Sequence, residues 1–141
     1  MADRVAWGDA SLAPYRDVLH VATLEQHLAP VRDVSQVIHG DLTGNVLFAD
    51  PLPPAVIDLS AYWRPAAFAT AIVVADALIW EGATVDDVGP VLHEEQFGQL
   101  LARGLLYRIV ADVEAGPGSI DAHPAAYRPA IDLAVRLMGE R

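Results

Sequence analysis

Residues 37 to 48 of this 141-residue chain read VIHGDLTGNVLF, and residues 55 to 59 read AVIDL. In both stretches, polar side chains that bind metals or handle protons stand at the ends of short apolar runs. These side chains are His39, Asp41, Asn45 and Asp58. Short apolar runs bounded by Gly, Asp and Pro are typical of brief strands joined by turns. The pattern therefore predicts a small β region, at residues 35 to 60, that carries the functional side chains.

The predicted strands in this region cover residues 36 to 38, 46 to 48 and 55 to 57. Between the last two, residues 50 to 54 read DPLPP, which indicates a hairpin turn. The first two predicted strands are joined by the loop that contains Asp41.

Helical spacing of apolar residues lies on both sides of the β region. The predicted helices cover residues 15 to 28, 66 to 81, a short segment from Thr84, 97 to 115 and 124 to 138. The apolar helix from residue 66 is expected to be the central buried one. Residues 1 to 11 have no clear period and are expected to be an irregular lead-in. We therefore expect one α+β domain over residues 1 to 141, mainly α with a small β-hairpin region and helical from residue 65 onward.

Charge and composition narrow the possible partners. The formal net charge of −10 argues against non-specific nucleic-acid binding, which needs a basic surface, and slightly favours cationic small molecules. The simpler interpretation, that the charge only confers solubility, is preferred. The longest apolar run, residues 66 to 80, contains Asp76 and is shorter than the ~20 residues of a membrane span. The absence of cysteine is compatible with a reducing compartment. We expect a soluble cytoplasmic protein that binds neither nucleic acid nor membranes.

The HGDLTGN segment at residues 39 to 45, followed by Ile57 and Asp58, resembles a known catalytic loop and its metal-binding aspartate. The similar proteins are the aminoglycoside phosphotransferase and choline kinase-like group, which are relatives of the protein kinases. The YWRP segment at residues 62 to 65 resembles an uncharacterised actinobacterial branch of that group. The resemblance implies a protein-kinase-like large lobe that uses ATP and Mg²⁺ to phosphorylate a hydroxyl group of a small molecule.

The resemblance also implies a role for each residue. Phosphoryl transfer depends on positioning and charge neutralisation, so it needs a carboxylate to orient the hydroxyl and oxygen ligands to hold Mg²⁺. Asp41 would be that carboxylate, and Asn45 and Asp58 would be the metal ligands. His39 would brace the loop, and Asp76 would be a buried carboxylate that hydrogen-bonds the backbone of the loop.

Simpler interpretations exist for the same residues. Gly, Asp and Asn favour turns, so any one of them alone would merely connect two strands, and only the joint pattern is specific. A hydrolytic metal site on His39 and Asp41 is a further alternative. Tyr62, Trp63 and Arg64 either line a substrate pocket or provide aromatic packing plus an arginine that anchors the loop.

The loop departs from the kinase pattern in its length. Asn45 follows Asp41 by four positions, where the kinase pattern has five. Gly44 is expected to absorb the difference by adopting a backbone conformation that other residues disfavour.

All nine basic residues are arginines, so the chain has no lysine. A complete kinase of this type has an N-terminal β lobe with a Gly-rich loop and a strand lysine on the phosphates. A Walker-type P-loop NTPase is excluded too, because its Gly-Lys-Ser/Thr core is absent. We therefore expect an isolated large lobe that is inactive without such a β lobe.

Three functional hypotheses follow from the sequence. The first is the C-terminal part of a small-molecule kinase whose ATP-holding lobe lies elsewhere. The second is a non-catalytic binding or interaction module, which would form a homodimer or bind a partner on the face where a β lobe would sit. The third is a stand-alone metal-dependent enzyme built on Asp41, Asn45 and Asp58.

Overall fold

A computed structural model describes residues 1 to 116 and 124 to 139 of the chain. These described residues contain six α-helices: α1 (Ala2–Ala6), α2 (Val21–Glu25), α3 (Ala66–Ile79), α4 (Val85–Val88), α5 (Phe97–Ala115) and α6 (Arg128–Gly139). Three short 3-10 helices cover Ala13–Tyr15, Gly89–Val91 and Pro124–Tyr127. The four strands are β1 (Ser35–His39), β2 (Val46–Ala49), β3 (Leu52–Val56) and β4 (Ala61–Pro65). The expected α+β class is confirmed, and the parts of the predicted domain at 117 to 123 and 140 to 141 lie outside the described residues.

Helix α5 lies at the centre of the fold and contacts α1, α2, α3 and α6. Because it has neighbours on several sides, its apolar residues are buried around most of its circumference, as Leu101, Leu105 and Val110 show at 0 % exposure. The prediction that the helix from residue 66 is buried is confirmed, with eight of its 14 residues buried, but the prediction that it is the central helix is wrong. Helix α3 packs on α5 and leaves part of its own surface half-buried or exposed.

Gly104 is the point of closest approach between α3 and α5. A Cβ atom built at this position would lie 3.3 Å from the backbone oxygen of Ala71. A larger residue would push the two helices apart, because packed interiors leave little room for added atoms.

Two buried polar residues of α5 hold the segment that leads into β1. The side chain of Gln99 accepts a hydrogen bond from the backbone N–H of Ala29 at 2.8 Å and donates one to the backbone oxygen of His27 at 2.8 Å. Arg103 donates to the backbone oxygen of Ala29 at 2.9 Å. Burial lowers the pKa of Arg103 to about 10. These bonds fix the course of the chain before the β region.

The β region consists of two separate antiparallel pairs. Strand β1 pairs with β4, and Val37 lies opposite Trp63. Strands β2 and β3 form the predicted hairpin, whose turn contains a cis peptide bond between Asp50 and Pro51. The turn predicted over residues 50 to 54 is too long, because Leu52 pairs with Ala49 and β3 therefore begins at Leu52. Sequence analysis predicted β1, β2 and β3 but no strand at β4, because the short YWR run is extended only through its pairing with the distant β1.

The N-terminal region differs most from expectation. Within the expected lead-in over residues 1 to 11, Ala2–Ala6 form helix α1, because Val5 and Ala6 are buried in the core against α5. The predicted helix over 15 to 28 is reduced to α2, and His20 before it has a left-handed backbone conformation with φ 74°.

The later helices follow the predicted boundaries closely. Helix α4 starts with a capping box between Thr84 and Asp87, and α5 ends at Ala115 before Gly116. The last predicted helix begins as the 3-10 turn Pro124–Tyr127 and continues as α6. Among the described residues, no helix is long and apolar enough to cross a membrane.

Candidate functional site

The candidate site is built around the loop that joins β1 to β2, residues 40 to 45. His39, the last residue of β1, is only 9 % exposed and fixes the start of this loop. Its Nδ1 accepts the backbone N–H of Asp41 at 3.0 Å, and its Nε2 lies 3.0 Å from the backbone oxygen of Ile57. An acceptor at Nδ1 and a carbonyl at Nε2 together indicate the neutral tautomer with its proton on Nε2. The ring therefore ties the loop to the segment that follows β3, in agreement with a bracing position.

Asp76 on α3 is the second side chain that holds the loop, and it is 1 % exposed. Its Oδ2 accepts the hydroxyl of Thr43 at 2.6 Å. The same carboxylate accepts two hydrogen bonds from Arg108 on α5, at 2.6 and 2.5 Å. The expected contact was with the loop backbone. The structure places the contact on the Thr43 side chain instead.

Arg108 connects Asp76 to Asp41. Its Nη2 donates to Oδ1 of Asp41 at 2.9 Å, and its guanidinium lies over the rings of Tyr107 and Trp80, at 5.2 and 5.7 Å from their centroids. Burial works against the charge of Arg108, but the hydrogen bond and charge of Asp76 outweigh it and raise the pKa of Arg108 above its ordinary value. Arg108 is therefore a permanent cation between two carboxylates.

Arg108 is absent from the site residues that the sequence pattern predicts. The residue lies 67 positions after Asp41 on a separate helix, so no local motif connects them. A signal was present, because Arg108 interrupts the apolar run LLYRIV at residues 105 to 110 just as Asp76 interrupts an apolar helix. Two opposite charges in two buried helices predict an ion pair.

Asp41 stands at the surface of the braced loop. Its side chain is 41 % exposed, and Oδ1 is the oxygen paired with Arg108. Within the described part of the chain, Oδ2 has no hydrogen-bond partner. One carboxylate oxygen is thus fixed by the protein and the other faces outward.

Asn45 closes the loop from its far end. Its Nδ2 donates to the backbone oxygen of Asp41 at 2.8 Å, which leaves the amide Oδ1 as an acceptor. Gly44 has φ 79°, the left-handed conformation expected for it in the shortened loop.

Asp58 is held beside Asn45 through the backbone. The N–H of Ile57 donates to the backbone oxygen of Asn45 at 3.0 Å, so the residue that follows Ile57 lies next to the end of the loop. Asp58 is exposed and has φ 52°, a left-handed conformation that aspartate tolerates better than most residues.

The oxygen atoms of Asn45 and Asp58 suit Mg²⁺, which is commonly held by one or two protein oxygens with phosphates and water completing its shell. Within residues 1 to 116 and 124 to 139, no group of three or more His, Cys, Asp or Glu side chains is arranged to hold a metal ion. The donor set therefore fits a shared protein and phosphate site better than an all-protein metal cage. For the same reason the described residues lack a ligand cluster for a hydrolytic metal site on His39 and Asp41.

Tyr62, Trp63 and Arg64 lie on β4 and have three different surroundings. Tyr62 packs against Gly40, where an added Cβ would lie 2.1 Å from the Tyr62 ring, and edge-on against Tyr107. Trp63 is 66 % exposed. The structure thus separates the three side chains instead of gathering them at one pocket.

Arg64 points to the N-terminal segment. It donates to both carboxylate oxygens of Asp3, at 3.0 and 2.7 Å, and to Asp9 at 2.6 Å. Its guanidinium also lies 5.1 Å from the centroid of the Trp7 ring. The hydrogen bond to Asp3 raises the pKa of Arg64. The anchoring interpretation of Arg64 agrees with these contacts, although the anchored segment is α1 and not the loop.

Comparison of the chain with protein-family models, with curated proteins and with solved structures finds no match.

Proposed function

We propose that this chain provides the acceptor-orienting and metal-binding part of an ATP- and Mg²⁺-dependent phosphotransferase, within a kinase-like large lobe. The substrate would be a small molecule with a hydroxyl group, and the acidic chain favours a cationic one. The observation that supports the proposal most is the braced loop, in which Asp41 faces outward and the backbone of Asn45 is bonded to Ile57, the residue before Asp58.

The contacts of Asp41 suit the orientation of a hydroxyl group. Because Arg108 holds Oδ1, the outward Oδ2 is available to accept the hydrogen bond of a substrate hydroxyl in a fixed direction. The position of the Asp41 carboxylate is pre-organised for substrate binding, because His39 and Asp76 already hold the loop in the absence of substrate.

Asn45 and Asp58 would hold Mg²⁺ against the phosphates of ATP. The metal would neutralise the negative charge that must be accommodated on the phosphates during transfer. The lysine that contacts the phosphates in kinases has no equivalent in this chain, so the proposal assigns the nucleotide-holding part to another polypeptide segment.

Metal binding can be tested on this chain alone with Mn²⁺ as a paramagnetic probe for the Mg²⁺ position. We expect Mn²⁺ to broaden the backbone amide signals of the loop around Asn45 and of Asp58 most strongly. Asp58→Ala should remove this broadening, whereas Asp50→Ala, at the exposed hairpin turn, should leave it unchanged. Broadening that persists in Asp58→Ala, or that centres on other carboxylates, would contradict the proposed metal site.

Catalysis requires a second experiment. A polypeptide that adds a Gly-rich strand segment with a lysine should release ADP from Mg·ATP in the presence of hydroxyl-bearing sugars or amines. Asp41→Asn should lower that rate by about 10²-fold or more, as for loss of a positioned acid or base. If the longer polypeptide bound ATP no better than this chain, the proposal would be wrong.

A non-catalytic kinase-like module is the second candidate, and one observation favours it. The carboxylate of Asp41 is ion-paired with Arg108, which is a stable structural arrangement without any substrate. This candidate predicts that Asp41→Asn has no effect on nucleotide or partner binding. A phosphotransferase predicts lost turnover in the same variant, so the one substitution separates the two.

A further inference from the structure

An exposed apolar surface covers the β region. All four strands contribute large apolar side chains that are more than half exposed: Val37, Leu47, Phe48, Leu52, Val56 and Trp63. We call these six residues the apolar strand surface, which has two sides, because neighbouring residues of a strand such as Leu47 and Phe48 point to opposite faces of the sheet. Clusters of exposed apolar side chains of this kind mark interaction sites in soluble proteins.

The hairpin part of this surface has little cover from the rest of the fold. All five residues of β3 are exposed, and in β2 Leu47 and Phe48 are 52 % and 77 % exposed. A two-stranded hairpin without a packed face is only marginally stable in water. The hairpin therefore gains stability from anything that packs on it.

The second sheet adds to the same region. Val37 and Trp63 lie directly opposite each other on β1 and β4, at 59 % and 66 % exposure. The two sheets are joined where His39, at the end of β1, contacts the backbone oxygen of Ile57 just after β3. Among the described residues each strand has one neighbour only, so each sheet has open edges that can accept an extended segment.

The charges in this region select the partner. Residues 34 to 63 contain the carboxylates Asp41, Asp50 and Asp58 and no lysine or arginine, and Asp41 is paired with Arg108 of α5. A second copy of the chain would bring six carboxylates together, counting three from each copy, and like charges at an interface disfavour association. Anionic lipid would be repelled for the same reason.

We propose that the apolar strand surface is the docking site for an extended protein segment that combines apolar side chains with lysine or arginine. The apolar side chains of the segment would cover the hairpin and the Val37 and Trp63 pair, and its cations would face Asp50 and Asp58. The proposal stands independently of the proposed function, since it requires neither turnover at Asp41 nor a metal ion at Asp58.

The test uses two short synthetic peptides with the same alternating Val and Leu positions, one with Lys and one with Glu between them. Affinity is measured by fluorescence anisotropy of the labelled peptide, and the contact surface by backbone amide shifts. The Lys peptide should bind at least about tenfold more tightly than the Glu peptide, and Trp63→Ser or Leu47→Ser should each weaken it by about tenfold.

Two controls separate this site from general attraction to an acidic chain. A Lys and Ser peptide without apolar residues measures the attraction of the −10 charge alone and should bind at least about tenfold more weakly. Leu19→Ser removes an apolar side chain that is 59 % exposed outside the strands and should leave affinity unchanged. Circular dichroism should show that all three variants are folded.

Three results would overturn the proposal. The first is equal affinity for the Lys and Glu peptides. The second is Lys-peptide affinity that is unchanged in Trp63→Ser and Leu47→Ser. The third is a dimer in sedimentation that Trp63→Ser dissociates, since the occupant would then be a second copy of the chain.

Discussion

Removal of the Asp76 carboxylate tests the link between the buried core and the candidate loop. In Asp76→Ala, the loop loses the hydrogen bond to Thr43 and Arg108 loses both of its bonds to a side chain that is 1 % exposed. Arg108, whose side chain is 13 % exposed, would then keep Asp41 as its only carboxylate partner among the described residues.

The expected cost follows from the burial of these groups. Breaking a buried ion pair by removing one partner costs about 3–5 kcal/mol, because the other charge stays uncompensated. The pair with Asp41 and the two aromatic rings remain around Arg108, so we expect the lower part of this range, about 3 kcal/mol. A domain of this size has a total stability of about 5–15 kcal/mol, so the loss is a large fraction of it.

Urea unfolding followed by circular dichroism measures this free energy. The matched control is Asp132→Ala, which removes the exposed pair with Arg128 at 3.9 Å and should cost about 0.5 kcal/mol or less. If Asp76→Ala is too unstable to fold, Thr43→Ala tests the same contact and should cost about 1–2 kcal/mol. A loss below about 1 kcal/mol in Asp76→Ala would refute the assignment of Asp76 as the buried anchor of the loop.

Three further predictions concern other parts of the fold. Gly40→Ala should destabilise the protein by about 1–3 kcal/mol in urea unfolding, because the added Cβ would lie 2.1 Å from the Tyr62 ring. In a Tyr62→Ala background, the same Gly40→Ala change should cost less, because the ring is gone. Burial, with hydrogen bonding second, raises the pKa of Tyr107 and Tyr127. The folded state therefore holds two phenolic protons that unfolded tyrosine releases near pH 10, so stability is full below about pH 10 and falls as the pH rises above it. Absorbance titration of phenolate should show these two residues ionising only together with unfolding, and ionisation in the folded protein would contradict it. Arg64→Ala should lower the free energy of unfolding in urea by about 1.5–3 kcal/mol, because Asp3 and Asp9 lose a part-buried, charged hydrogen-bond donor. An unchanged unfolding midpoint would contradict the assignment of Arg64 as the anchor of α1.

Local sequence patterns predicted most of the secondary structure. The period-four apolar residues of α5 and the punctuation by Gly and Pro place that helix within one or two residues of its observed ends. Strands β1, β2 and β3 were likewise predictable in outline, since short apolar runs and turn residues are encoded within a few positions, but the start of β3 at Leu52 depends on its pairing with β2.

The elements that sequence analysis missed depend on distant partners. Strand β4 is extended because it pairs with β1, about 26 residues earlier, and α1 is ordered because Val5 and Ala6 pack on α5 near the other end of the chain. Neither element has a strong pattern of its own, so their structure follows from burial and pairing that local spacing does not encode.

The candidate site divides in the same way. The sequence by itself determined the loop residues His39, Asp41, Asn45 and Asp58 and their order, because turn chemistry and short strands are local properties. Only the tertiary structure decided that Arg108 binds both Asp41 and Asp76, and that Arg64 anchors the N-terminal helix. Buried charges find their partners through the packing of separate helices, and that packing is a property of the whole fold.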